Sequence, residues 1–259
     1  MIEKPTVTVL ETKEELLKKS KRKKPEVPIR HSFVQQGPQR MPEPGPLAEF
    51  VRRHDTQALD QYLLALAVAT AAPYDVNVPA ETWARALGLP GNRTAAVSKA
   101  WARLQNHQLI VRHRYQRLAS VRILREDGSG LAYTHPGQRG ERYFRLSFDY
   151  WRESWDSNLS LPAKAVLLIA LSLPAGFVLP GEKAKAWYGL SSDTVERGLR
   201  ELDRAKLLRR EKHYKKAPLA AKGYTEEWLY TLRGPFHHGR PNINRLLSIA
   251  LQAEMPTSS

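Results

Sequence analysis

The sequence predicts an α+β chain in which a unit of three helices and a β-hairpin occurs twice, behind a disordered, basic, proline-rich N-terminal arm. Three observations carry that expectation. Apolar residues recur at helical spacing in three successive segments, then alternate with polar ones, and the same order runs a second time. The third helical segments of the two runs align without gaps. Lysines and prolines crowd residues 1–50. The expected boundaries are an arm over 1–50, a first unit over 51–158, a second over 159–235, and a closing helix and tail over 236–259.

In the arm, a short helix is expected from about Thr12 to Lys19. Lys18–Lys24 then places six basic groups in seven positions, and Pro25, Pro28, Pro38, Pro42, Pro44 and Pro46 follow. Such a segment buries too little apolar surface to offset the entropy of ordering it. The lysine run reads either as a solvated tail or as a phosphate-tracking arm.

In the first unit, Leu59, Tyr62, Leu63, Leu66, Val68 and Ala69 form the apolar stripe of a helix over Asp55–Ala72. Pro73 ends it. Pro79 opens a second helix, where its missing N–H costs little. Trp83, Ala86 and Leu87 form the inner face, Gly88 closes the helix, and Leu89–Asn92 is a turn. The third helix is expected over Arg93–His107, with Val97, Ala100, Trp101 and Leu104 toward the core. The period then changes: Leu109, Val111, Val121 and Ile123 alternate with polar or basic neighbours. Asp127–Gly130 makes a loop, and Phe144, Leu146 and Phe148 share a face of a further strand.

The second unit repeats the order. Ser160 is a good N-cap for Leu161–Leu173, and Phe177–Leu179 is a short strand. Glu182–Tyr188 is a helix closed by Gly189, and Ser191 or Ser192 caps a third helix over Asp193–Ala205. Leu207–Tyr214 and Glu227–Leu232 pair around a loop that begins at Lys215. Ile243–Leu251 reads as a closing amphipathic helix.

Val97–Leu104 aligns with Val195–Leu202, and five residues after each terminal leucine comes another, Leu109 and Leu207. Leu87-Gly88-Leu89 matches Tyr188-Gly189-Leu190, with three extra residues in the first turn. The segment from Gly189 to Leu208 resembles the helix-turn-helix of winged-helix regulators. The first copy, with its Pro90-Gly91-Asn92 insertion and Trp101, resembles it more loosely. Two such units in one chain are similar to plasmid replication initiators and to phage or mobile-element replication proteins. The resemblance covers about residues 55–235. It implies two consecutive winged helix-turn-helix domains and double-stranded DNA as the partner, although fold does not fix function.

Charge agrees with that partner. Lys and Arg number 41 against 26 Asp and Glu, a formal net charge of +15. The excess lies mostly in the folded segments, with 15 basic against 10 acidic groups in 51–158 and 14 against 8 in 159–235. A balance of that sign favours a polyanion. The absence of cysteine removes disulfides, thiol catalysis and Cys-based zinc sites. The N-terminus lacks the apolar core of a signal peptide, and the longest apolar run, Ala165–Leu173, is too short to span a bilayer. A cytoplasmic, nucleoid-associated protein with no membrane partner is expected. There is no Walker loop, dinucleotide fingerprint, zinc-protease helix or nucleophile elbow, so no enzyme and no cofactor is expected. The adjacent His237 and His238 cannot easily share a metal and read as structural.

On the first third helix, Arg93, Thr94, Ser98, Lys99 and Arg103 fall away from the apolar stripe. On the second, Ser192, Thr194 and Arg197 do so, with Arg200 at the flank. Lys99 and Arg197 are equivalent in the repeat and are the leading candidates for reading bases. Arg112, Arg114 and Arg117 on the first hairpin and Lys212, Lys215 and Lys216 on the second are expected to meet phosphate. A plain solvated face is the alternative for each group. Glu196, Glu201 and Glu211 dilute the second basic surface, which leaves that unit open to protein contacts. Trp151, Trp155 and Trp187 read as packing.

Transcriptional regulation is the first functional expectation. Replication initiation is the alternative, because a duplicated unit suits repeated sites. A third reading is a protein-interaction scaffold, similar to condensin accessory subunits, which the +15 charge opposes. RNA binding lacks the common aromatic signature. A homodimer formed through the closing helix, or a protein partner on one unit, stays open.

Overall fold

Caps at the starts of helices and left-handed residues at their ends set the element boundaries. The computed structural model describes residues 6–38, 40–115, 118–137 and 140–237. The chain opens with α1 (Val9–Lys19), β1 (Glu26–Arg30), β2 (Gln35–Gln36), β3 (Glu43–Pro44) and α2 (Leu47–Arg52). The first unit contains α3 (Thr56–Val68), β4 (Asp75–Val76), α4 (Ala80–Ala86), α5 (Thr94–Asn106), β5 (Ile110–Tyr115) and β6 (Leu118–Ile123). Then come β7 (Tyr143–Ser147), α6 (Asp149–Arg152) and α7 (Trp155–Asn158). The second unit contains α8 (Leu161–Ser172), α9 (Gly181–Tyr188), α10 (Ser192–Arg204), β8 (Leu208–Lys216) and β9 (Tyr224–Leu232).

The expected duplication is present in the topology. In the first unit the sheet order is β4-β6-β5. In the second, β8 pairs with β9, and Phe177 bridges to Tyr230 of β9 through N–H···O bonds of 3.0 and 2.8 Å. Both copies therefore run helix, short extended segment, helix, helix, strand, strand, with the short segment beside the last strand. The leucine pairs noted in sequence have a local cause. Gln108 (φ 56°) and Lys206 (φ 61°) are left-handed. This lets the Leu109 N–H reach the Leu104 carbonyl at 3.1 Å and the Leu207 N–H reach the Leu202 carbonyl at 2.9 Å. Each is a Schellman ending, in which an apolar residue past the helix packs back on its last turn.

The N-terminal segment corrects the expectation of a disordered arm. Thr8 and Glu11 form a capping box at the start of α1, and Leu16 and Leu17 are buried. Arg22, within the lysine run, donates to the carbonyls of Leu66, Ala67 and Ala69 and so caps the end of α3. That is where α3 stops, short of the expected Ala72. β1 pairs antiparallel with β7, from Glu26↔Ser147 to Arg30↔Tyr143. The further strand expected in the first unit, with Phe144 and Leu146 on one face, thus pairs with the N-terminus. The prolines do not prevent this pairing, because Pro28 sits in a two-stranded sheet where its missing N–H can face outward. Val27, Ile29, Phe33, Val34, Leu47 and Phe50 add the apolar surface that the composition concealed.

Arg30 is 1% exposed. It donates to Glu126 (2.5 Å), Glu141 (2.8 Å) and the Thr134 carbonyl (2.7 Å), tying β1 to the loop after β6. Burial pushes the Glu126 carboxyl up. One hydrophobic core runs from Leu16 through both units to Phe236. Two ion pairs cross the middle: Lys13–Asp156 at 2.6 Å and Lys164–Asp60 at 2.7 Å, the latter joining α8 to α3. Burial outweighs the adjacent ammonium and pushes Asp60 up to about 6. Trp151 is fully buried, while Trp155 and Trp187 pack partly buried against the core, as the packing reading requires. The helix expected over Ile243–Leu251 and the His238 half of the histidine pair lie outside the described residues.

Candidate nucleic-acid interface

The α5 helix buries Val97, Ala100, Trp101 and Leu104. Gln61 of α3 donates to the Val97 carbonyl at 3.2 Å and fixes the helix from behind. The opposite side reaches solvent, where Arg93, Ser98 and Lys99 are exposed and Thr94 is half-buried. Arg93 occupies the N-cap position without a side-chain cap, so the first N–H groups of α5 have no such acceptor. Arg103 departs from the expectation. Its guanidinium is bonded to Asp55, the N-cap of α3, with the second bond at 2.9 Å.

β5 continues the surface. Ile110 points into the core, so alternation sends Arg112 and Arg114 to the same side as α5. Both arginines are exposed. They line a cleft of about 590 Å³ together with Ser98 and Gln105. Its base is Trp83 and Trp101, whose rings meet edge to face at 5.2 Å and 87°. Trp101, a departure from the winged-helix pattern in sequence, therefore buttresses α4 against α5. Among the described residues, no carboxylate pairs with Arg93, Lys99, Arg112 or Arg114. The other arginines here are neutralised: Arg122 binds Asp75 at 2.8 Å, and Arg125 binds Asp127 and Glu141 at 2.9 Å each. Arg117 lies outside the described residues.

The α10 helix carries a different surface. Ser191 caps it by accepting from the Thr194 N–H at 3.1 Å. Thr194 is buried and its hydroxyl bonds Ser191 at 2.8 Å, so it completes the cap and is not available to a ligand. Ser192, Arg197 and Arg200 are exposed. Arg197 pairs with Asp193 at 3.0 Å and Arg200 with Glu196 at 2.5 Å, each one turn apart. Exposed pairs of this kind are worth little and rearrange at small cost. Among the described residues, Arg197 and Arg200 on the exposed side of α10 thus have carboxylate partners one turn away, whereas Arg93 and Lys99 at α5 have none.

The second hairpin is longer than expected, with both strands nine residues long. Lys215 and Lys216 are exposed at its far end, and Lys212 stands 3.4 Å from Glu226. Sequence reasoning passed over its aromatic residues, Tyr214, Tyr224 and Trp228, all of which are exposed. Their signal was present in the period of two: Tyr214 shares a phase with Arg210, Lys212 and Lys216 on β8, and Tyr224, Trp228 and Tyr230 share one with Glu226 on β9. Among the described residues, no group of three or more His, Asp or Glu could hold a metal ion, and no helix is long and apolar enough to cross a membrane. Comparison with protein-family models, with curated proteins and with solved structures finds no match to the chain.

Proposed function

We propose that this chain is a sequence-specific, non-enzymatic double-stranded DNA-binding protein made of two winged helix-turn-helix units. Its principal reader is α5 with the β5–β6 hairpin, and its role is transcriptional regulation. The observation that carries this reading is four cations without a carboxylate partner among the described residues: Arg93 and Lys99 at α5, and Arg112 and Arg114 in the cleft beside it. An arginine or lysine without a carboxylate partner is a ready contact for guanine or phosphate. Arg112 and Arg114, on the strand, suit phosphate, while Lys99, on the helix, suits the major groove.

Replication initiation at repeated sites is the second reading. It is favoured by the buried Lys164–Asp60 pair, which couples the two units into one reader of a bipartite site. Capture of genomic fragments on the purified chain at near-physiological salt, followed by sequencing, tests both. Sharp sites at promoters support regulation, and tandem repeats beside an origin support initiation. A flat profile that disappears with modest salt defeats sequence-specific binding and leaves the interaction scaffold.

A further inference from the structure

We propose that one face of the β8–β9 hairpin is a stacking platform for single-stranded nucleic acid. At the root of this face, Leu208 and Leu232 are buried opposite each other. Alternation and register then place Arg210 opposite Tyr230, Lys212 opposite Trp228, Tyr214 opposite Glu226 and Lys216 opposite Tyr224 on the same face. Beyond the root the hairpin projects into solvent: β8 is exposed from Arg209 to Lys216, apart from a half-buried His213. Tyr214 is 54% exposed, and Trp228 and Tyr224 are each 38% exposed.

These rings are not waiting for a core. Cations are built around them, with the Arg210 guanidinium 5.2 Å and the Lys212 ammonium 5.5 Å from the Trp228 ring centre. Tyr214 and Tyr224 meet edge to face at 5.3 Å. Residues 207–233 hold seven Lys and Arg against three Glu. Cations on one strand set beside aromatic rings on the other, with Glu226 between them, match a strand whose bases offer their faces and whose backbone is anionic. A duplex does not offer those faces, because its bases are already stacked on each other. The occupant is therefore an unpaired strand, DNA or RNA, and the platform is separate from the duplex-reading surface of α5.

The test is fluorescence anisotropy on the full chain with labelled oligothymidine, oligouridine and a duplex of equal length. Two double variants are compared with the wild type: Tyr214→Leu with Trp228→Leu, and Tyr214→Phe with Trp228→Phe. The leucine variant is expected to lose at least about tenfold in oligothymidine or oligouridine affinity. The phenylalanine variant stays within about twofold, since its rings still stack. Duplex affinity is expected to be the same for all three proteins. Preference for oligothymidine identifies DNA as the strand, preference for oligouridine identifies RNA, and either supports the platform. No single-strand binding by the wild type, equal binding by the leucine variant, or equal loss in the phenylalanine variant overturns it. An equal loss on the duplex also overturns it and assigns the hairpin to the duplex surface. Because the duplex is measured separately, failure of the α5 reading and failure of this one give different results.

Discussion

Gly198 marks the place where α10 crosses α8, and adding a methyl there has a calculable consequence. A Cβ at Gly198 would lie 2.6 Å from the Pro162 carbonyl oxygen and 2.6 Å from Val166 Cγ2. One of these neighbours is backbone and cannot rotate aside, so the helices must part by most of an ångström. Overpacking of this kind costs about 1–3 kcal/mol, while alanine in place of glycine within a helix returns about 1 kcal/mol. Because the 2.6 Å approach to a backbone oxygen takes the upper part of that range, about 2–3 kcal/mol, Gly198→Ala is expected to lose about 1–2 kcal/mol of stability. The matching position in the first unit is Ala100, which is fully buried. Ala100→Gly gives up about 1 kcal/mol of helix propensity and about 0.8 kcal/mol of methyl burial, so it also destabilises. The same two residue types are therefore not interchangeable between the repeats in either direction. Urea unfolding followed by circular dichroism reads the midpoints at unchanged slope. A neutral or stabilised Gly198→Ala protein refutes the close crossing.

Arg30→Met strips the buried Glu126 of its partner and is expected to cost about 3–5 kcal/mol, read by the same unfolding assay. Deleting residues 1–30 is expected to abolish the cooperative thermal transition; a truncated chain that melts like the wild type contradicts the folded role of the N-terminus. Asp60 has a folded-state pKa of about 6, above the roughly 3.9 of an unfolded chain, so the native state holds its proton more tightly. The cost of ionising it is absent below about pH 4 and grows until about pH 6, so Asp60→Asn is expected to gain on the wild type as pH rises through that window. A stability difference that is flat with pH between those values contradicts the buried pair as described.

The duplicated helices and hairpins were legible because their signals are local. Apolar spacing located α3, α5, α8 and α10, and the Leu104/Leu109 and Leu202/Leu207 pairs recorded a helix ending that six residues encode. The N-terminal segment was not legible, because its order comes from partners far along the chain. Arg30 meets Glu126 and Glu141, β1 meets β7, and Arg22 meets the end of α3. A lysine-rich, proline-rich composition carries no record of such partners. At the candidate site, the cations could be placed on α5, α10 and the hairpins by period alone. Which of them carry a carboxylate partner could not. Asp55 claims Arg103 from across the unit, whereas the Asp193–Arg197 and Glu196–Arg200 pairs have a helical spacing that sequence could have flagged. Nor does the helical period show that the Thr194 hydroxyl bonds Ser191 within the cap.

Arg93, Lys99, Arg112 and Arg114 form the proposed duplex-binding surface. The most direct test is the salt dependence of duplex affinity for the wild type and for a protein with all four changed to glutamine. If all four meet phosphate or the groove, the slope of log affinity against log salt becomes shallower by about 3–4. Affinity at low salt falls by orders of magnitude, while the unfolding midpoint stays unchanged because none of the four holds an ion pair among the described residues. An unchanged slope and affinity would contradict the assignment and move the duplex surface away from α5.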